Sequence, residues 1–228
     1  ALQSSVTLKN SSGKAKIYRL DWTESQPLDV DLGTLDYRLI QEDGLTYVSL
    51  RSFVSSTYDN MLARYAREGA KARGSKAVIY DLRGNVGGSD SWPRKWIQSF
   101  LGTQNSIETS MLYAQKNSAL FAAENSESLL PEDEGTCFAR EVHGTWYEND
   151  IPIIVLVDDH CGSSGEGAVQ LLKTLDNVLI VGSNTAGYQL CGNISTFTLP
   201  YTGIGVRFGS TLFLYGDGEN VDHRGYAP

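Results

Sequence analysis

With 228 residues, 41% of them hydrophobic and 20% charged, the chain can fill one large α/β core or two small ones. Its formal net charge of −8 argues against nucleic acid as a partner, because holding phosphate takes a concentrated basic face. No stretch approaches the ~20 apolar residues that span a bilayer; the longest apolar run, Ile151 to Val157, is short and contains Pro152.

The first forty residues read as β-structure. Val6-Thr7-Leu8 and Lys16 to Leu20 flank the turn cluster Asn10-Ser11-Ser12-Gly13, as in a hairpin. The opening Ala-Leu-Gln-Ser-Ser lacks the basic start and apolar centre of a signal peptide, as a mature or trimmed product also would. A strand is expected over Leu45–Leu50. A helix follows whose face carries Tyr58, Met61, Leu62, Tyr65 and Ala66, with Gly74 at its end.

Lys76–Leu82 reads as a buried strand that runs into the glycine-rich Arg83-Gly84-Asn85-Val86-Gly87-Gly88-Ser89. Ser89 or Asp90 can cap the next helix, which carries Trp96, Ile97 and Phe100. Residues 104–150 show no clear periodicity outside Ala119–Ala123 and are expected to form an insertion or lid. Within them, the acidic run Glu132-Asp133-Glu134 after Pro131 reads as a solvated loop.

Ile153–Val157 is then a strand, Asp158–Gly165 a loop, and Glu166–Leu175 a helix burying Val169, Leu172 and Leu175. Val178–Val181 is a further strand, ended by Gly182, and the tail reads as short strands over 195–199, 203–208 and 211–215. Strands alternating with helices imply an α/β domain with a largely parallel sheet. The expected organisation is an N-terminal β segment over 1–40 and a core over 41–228 that carries the insertion or lid. The three cysteines, Cys137, Cys161 and Cys191, lack metal or redox spacing and read as small buried hydrophobes.

Ligand sites in open α/β sheets gather beyond the carboxyl ends of strands. Three such ends carry unusual residues here: 83–89, 158–165 and 183–192. Gly84, Gly87 and Gly88 let the backbone turn tightly and present N–H groups to a phosphate or an oxyanion, or simply make a turn. No Lys-Ser/Thr pair follows them, so the segment is not a nucleotide-binding loop of the Walker type. Ser163 and Ser164 lie between a strand and a helix. A serine there either caps the helix or stands exposed as a nucleophile beside helix N–H groups.

Several blocks in order resemble the tail-specific, or C-terminal processing, proteases of peptidase family S41. Tyr80-Asp81-Leu82-Arg83-Gly84-Asn85-Val86-Gly87-Gly88 is similar to that family's DLRGNxGG signature, and Cys161-Gly162-Ser163-Ser164-Gly165-Glu166 to its nucleophile segment. Val181 to Gly187 resembles its VGxxTxG turn, and Leu199-Pro200 and Asp222 to Pro228 resemble its endings, so that the likeness covers roughly residues 45 to 228.

The resemblance implies a ClpP/crotonase-like core, a protein or peptide substrate, no cofactor, no metal, and work outside the cytoplasm. It implies a serine endopeptidase acting through an acyl-enzyme on Ser163, on C-terminal regions or unfolded peptides. The oxyanion would be held by Ser164 and the Gly87–Gly88 turn, while Glu166 braces the nucleophile loop. Tyr188 and Asn184 fall where substrate would be bound.

The family's Ser/Lys branch carries a lysine where this chain has Tyr188. The likeness is therefore nearer the tricorn-like Ser/His/Glu branch, whose histidine comes from an earlier segment. No histidine precedes His143, so that base is expected upstream of residue 1, with the chain a fragment of a longer protein and an upstream domain as its partner. His160 and His223 are the internal candidates, with Asp222 able to orient a histidine. Two other readings stand beside the peptidase: an inactive peptide- or ligand-binding module of the same fold, suggested by Tyr188, and acyl-CoA chemistry, for which no basic phosphate site is present.

Overall fold

A computed structural model describes residues 3–9, 13–21, 37–55, 59–118, 122, 135–215 and 221–228. The proposed turn at 10–12, Tyr58, most of 119–123 and the acidic run at 132–134 lie outside these residues.

Strands β1 (Gln3–Lys9) and β2 (Ala15–Asp21) pair antiparallel as the expected hairpin. The main sheet has five strands in the order β3-β4-β5-β8-β9, namely Arg38–Glu42, Leu45–Ser49, Ala77–Asp81, Ile153–Val157 and Val178–Gly182. All neighbours in it are parallel except the β3–β4 hairpin. The sheet is thus largely parallel and the architecture mixed α/β, as the alternating pattern implied.

Helices α1 (Asp59–Ala72) and α2 (Ser91–Leu101) pack together against this sheet. Tyr65, Trp96 and Phe100 are buried where they meet, and Tyr80 of β5 meets Trp96 edge-on, with ring centroids 4.8 Å apart. Of the face that the i, i+3, i+4 pattern selected, Leu62, Tyr65 and Ala66 are buried and Met61 half-buried, and the buried side runs on through Glu68, Gly69 and Ala72. Removing a buried aromatic such as Trp96 would cost about 3–5 kcal/mol. Helix α3 (Ser164–Leu172) is buried along its whole length, so it needs no polar face. It begins two residues earlier than expected and ends at Leu172; Leu175 is buried just beyond it.

The stretch 104–150 holds two strands, β6 (Met111–Lys116) and β7 (Cys137–Val142). They join β10 (Cys191–Thr198) and β11 (Gly205–Tyr215) in a four-stranded antiparallel sheet of order β10-β11-β6-β7. The last two strands expected in the tail are one continuous strand, β11. This sheet is mostly exposed, with Phe138, Ile194, Phe197 and Phe208 outside any core, which is why its sequence carries little alternation.

Of the cysteines only Cys161 is buried; Cys137 and Cys191 are exposed, and all three are free thiols. The reading of three buried hydrophobes is therefore corrected for two of them, which lie at the first residues of strands in the exposed sheet.

Candidate active site

Because β4, β5, β8 and β9 run parallel, their carboxyl ends share one edge. The loops that leave them, at 50–55, 82–90, 158–163 and 183–190, therefore converge.

The glycine turn after β5 is held by a buried ionic brace. Asp81, at 0% exposure, accepts hydrogen bonds from Arg83 Nε (2.9 Å) and Nη2 (2.7 Å), the Arg83 N–H (3.0 Å) and the Tyr47 hydroxyl (2.7 Å). Arg51 pairs with Asp81 and donates to the Arg83 carbonyl. Burial alone would raise the Asp81 pKa. The hydrogen bonds from Arg83 and Tyr47 and the Arg51 charge outweigh it and hold the carboxyl below its usual range.

Asn85, fully buried, ties this turn to its neighbours. Its Nδ2 donates to the Leu50 carbonyl (2.7 Å), its Oδ1 accepts from Gly87 N–H (2.9 Å), and its carbonyl accepts from Gly162 N–H (2.9 Å). Gly87 and Gly88 have φ of +98° and +138°, a region closed to other residues. A Cβ on Gly87 would stand 2.7 Å from Ser163 Cβ, and one on Gly88 would stand 2.1 Å from the Phe53 carbonyl carbon. The turn therefore lies directly against the strand-to-helix loop that carries Ser163.

Ser163 precedes α3 with φ 53° and ψ −123°. A non-glycine residue at such angles costs on the order of 1–3 kcal/mol and persists only where surroundings impose it. The imposing group is Glu166, at 0% exposure. Its Oε2 accepts from the N–H of Ser163 (3.1 Å) and of Tyr188 (2.8 Å), and its Oε1 from Gly187 N–H (2.8 Å) and Thr185 Oγ1 (2.6 Å). Glu166 thus joins the Ser163 loop to the loop after β9, the bracing role that the resemblance implied. Thr185 extends the tie to the C-terminal segment through the Tyr226 N–H, 2.7 Å from its Oγ1.

Two backbone donors face this corner without an intramolecular acceptor among the described residues, the N–H groups of Gly88 and Ser164. Gly87 N–H is engaged by Asn85, so Gly88 is the turn's available donor. The Ser164 hydroxyl donates to the Gly88 carbonyl (2.9 Å), which fixes the two segments together.

A cavity of about 430 Å³ opens beside Ser163, lined on one side by Gly88 to Ser91 and on the other by Phe213 and Tyr215 of β11, with Tyr188 and Gln189 between. Of the residues expected in the site, Ser163, Ser164, Gly88 and Tyr188 share this cavity. Tyr188 is exposed, its ring against Gly162. Asn184 lies outside the lining, its side chain donating to the Arg224 carbonyl (3.0 Å). Neither His160 nor His223 lines the cavity. His160 is exposed, with Nδ1 2.9 Å from Asp159 Oδ1. The His223 side chain is 88% exposed, with Nε2 4.0 Å from Asp222 Oδ2.

Sequence reading missed Asp90, Gln189, Phe213 and Tyr215 as cavity residues. Thr211, Phe213 and Tyr215 share one face of β11 by simple alternation, but nothing in the sequence says what that face meets.

The model of peptidase family S41 matches residues 44–228. The carboxy-terminal processing protease CtpA of Bacillus subtilis is 24% identical over 194 residues, covering 84% of this chain and 36% of that protein. Among solved structures, mature CPAF matches with a TM-score of 0.58 at 12% identity, over 99% of this chain and 61% of that one. The photosystem II D1 C-terminal processing protease matches with 0.50 at 16% identity, over 100% and 54%. At these identities the structural likeness concerns the fold. The chain spans little more than a third of the curated relative and under two thirds of either structure.

Proposed function

For a chain that belongs to peptidase family S41, we propose that Ser163 is the nucleophile of a serine endopeptidase that cleaves protein C-terminal regions or unfolded peptides. The observation that carries this reading is Ser163 held at strained angles beside two unengaged N–H groups, those of Gly88 and Ser164. Ser163 Oγ attacks the substrate carbonyl carbon and passes its proton to a general base. The oxyanion that forms is received by the two N–H groups, and the amine leaves with that proton as the acyl-enzyme forms. Water then releases the acid and restores Ser163. Losing one oxyanion donor typically lowers the rate by about 100- to 1000-fold.

No histidine lines the cavity among the described residues, so the proposal assigns the base to protein outside this chain. Action outside the cytoplasm is proposed on the family resemblance. Among the described residues no helix is long and apolar enough to cross a membrane.

The test is labelling by a fluorophosphonate of this chain and of a version extended upstream, each with Ser163→Ala as control. Labelling of the extended form alone, abolished by Ser163→Ala, is expected. Labelling of the short chain as well would assign the base to a residue within it. Two folded proteins that both fail to label would favour the inactive binding module, with Tyr188 as part of its surface.

A further inference from the structure

The cavity beside Ser163 contains polar groups that the peptidase reading leaves without a task. Asp90 occupies the N-cap position of α2, yet its carboxyl makes no capping hydrogen bond to that helix. It has no ion-pair partner among the described residues. Arg94, one turn along α2, is engaged by Glu108 and the Ile107 carbonyl. Gln189 is 6% exposed, and its Oε1 has no hydrogen-bond partner. Tyr215 lines the same cavity, and burial pushes its hydroxyl pKa up, with the Asp90 charge adding to the rise.

We infer that this cavity is a specificity pocket for a basic substrate side chain, lysine or arginine, received by the Asp90 carboxyl and Gln189 Oε1. The inference rests on Ser163 as peptidase nucleophile, and it names the substrate class of that same site. A buried acceptor left unpaired, as Gln189 Oε1 is, is costly, and a half-buried carboxylate with no counter-charge against it gains from one. Lysine and arginine bring donors and no acceptor, so one of them satisfies both groups at once. An apolar side chain leaves Gln189 Oε1 unpaired and Asp90 without a counter-charge, and an acidic one adds repulsion. The rings of Phe213, Tyr188 and Tyr215 supply apolar surface for the methylene stem.

Burial pushes the Asp90 carboxyl above its ordinary range, against the opposing effects of the Ser164 hydrogen bond and the Arg94 charge; the Glu108 charge adds to the rise. A substrate cation reverses this, because it favours the ionised form. The pocket opens on Ser163 and Ser164 themselves, so the side chain it takes belongs to the residue whose carbonyl is attacked.

The experiment compares two diphenyl phosphonates that differ only in side chain, one lysine-like and one norleucine-like, on the full-length protein. Each forms the Ser163 Oγ–P bond with loss of phenol. The lysine-like probe is expected to label more than about tenfold faster. Asp90→Asn is expected to bring that ratio toward one, and Gln189→Glu, which adds a second carboxylate, to raise it. A ratio near one in the parent protein, or one that neither variant moves, overturns the pocket while leaving the peptidase intact.

Benzamidine binding, measured by calorimetry, separates the two readings when neither phosphonate labels. Binding lost in Asp90→Asn then keeps the cation pocket and removes the peptidase. An absence of binding removes both.

Discussion

Strands β5 and β8 bury alternate side chains completely inside the molecule, whereas β7 and β10 leave nearly all of theirs exposed. Both sheets nevertheless contribute to the same cavity, the parallel one through its loops and the antiparallel one through β11 and the start of β10. The parallel sheet fixes positions. The side chains that set the glycine turn and Ser163, those of Asp81, Asn85 and Glu166, are buried and hydrogen-bonded, with four bonds into Glu166 alone. The antiparallel sheet contributes a wall without a tightly packed foundation. Changes at the parallel edge should therefore remove function, and changes out on the antiparallel sheet should leave it.

Gly88→Ala is the severest way to break the contrast. The new Cβ would lie 2.1 Å from the Phe53 carbonyl carbon and 2.4 Å from the Val54 nitrogen, atoms of backbone that cannot swing aside. The φ of +138° adds strain that no side chain relieves. A loss on the order of 3 kcal/mol or more is expected, read as a lower denaturant midpoint together with lost fluorophosphonate labelling. A variant that labels at the parent rate would mean the turn is free to rearrange and does not fix the site.

Glu166→Gln is the next in size. The amide can accept only through Oε1, so its Nε2 would face N–H donors where a carboxylate oxygen now accepts from Ser163 and Tyr188. The expected cost is about 3 kcal/mol, with labelling slowed beyond what the stability change accounts for, since Ser163 loses the bond that sets its backbone. Slower labelling with unchanged stability would point to a direct role for Glu166 in the chemistry. Parent values of both would remove the bracing argument.

The same contrast separates what could be read in the sequence from what could not. The runs Ala77–Tyr80 and Ile153–Val157 announced strands of the parallel sheet, because short continuous apolar runs of this kind suit strands with helices packed on them. The likeness of Cys161 to Glu166 to the family's nucleophile segment marked the brace, and its geometry is that of a residue three positions into a helix reaching back to the N–H before it. Strands β6 and β7 were illegible: exposed on so much of their surface, they show neither alternation nor an apolar run. Asp90 could be read only as a cap, because its place in the cavity becomes visible once Gln189 and Tyr215, far off in the chain, line the same space.

Phe138→Ser, on β7, tests the opposite end of the contrast. Phe138 is 48% exposed and meets Tyr113 edge-on with ring centroids 6.5 Å apart, so little apolar surface leaves the core when the ring goes. The expected stability change is under about 1 kcal/mol, with Ser163 labelled at the parent rate. β7 reaches the cavity only through β6 and then β11, and each of these neighbours is held by backbone hydrogen bonds that the substitution does not touch. A clear fall in labelling would therefore show that side-chain packing across this sheet, from Phe138 through Tyr113 to Phe213, sets the position of the cavity wall. The antiparallel sheet would then be a positioning element of the same rank as the parallel one.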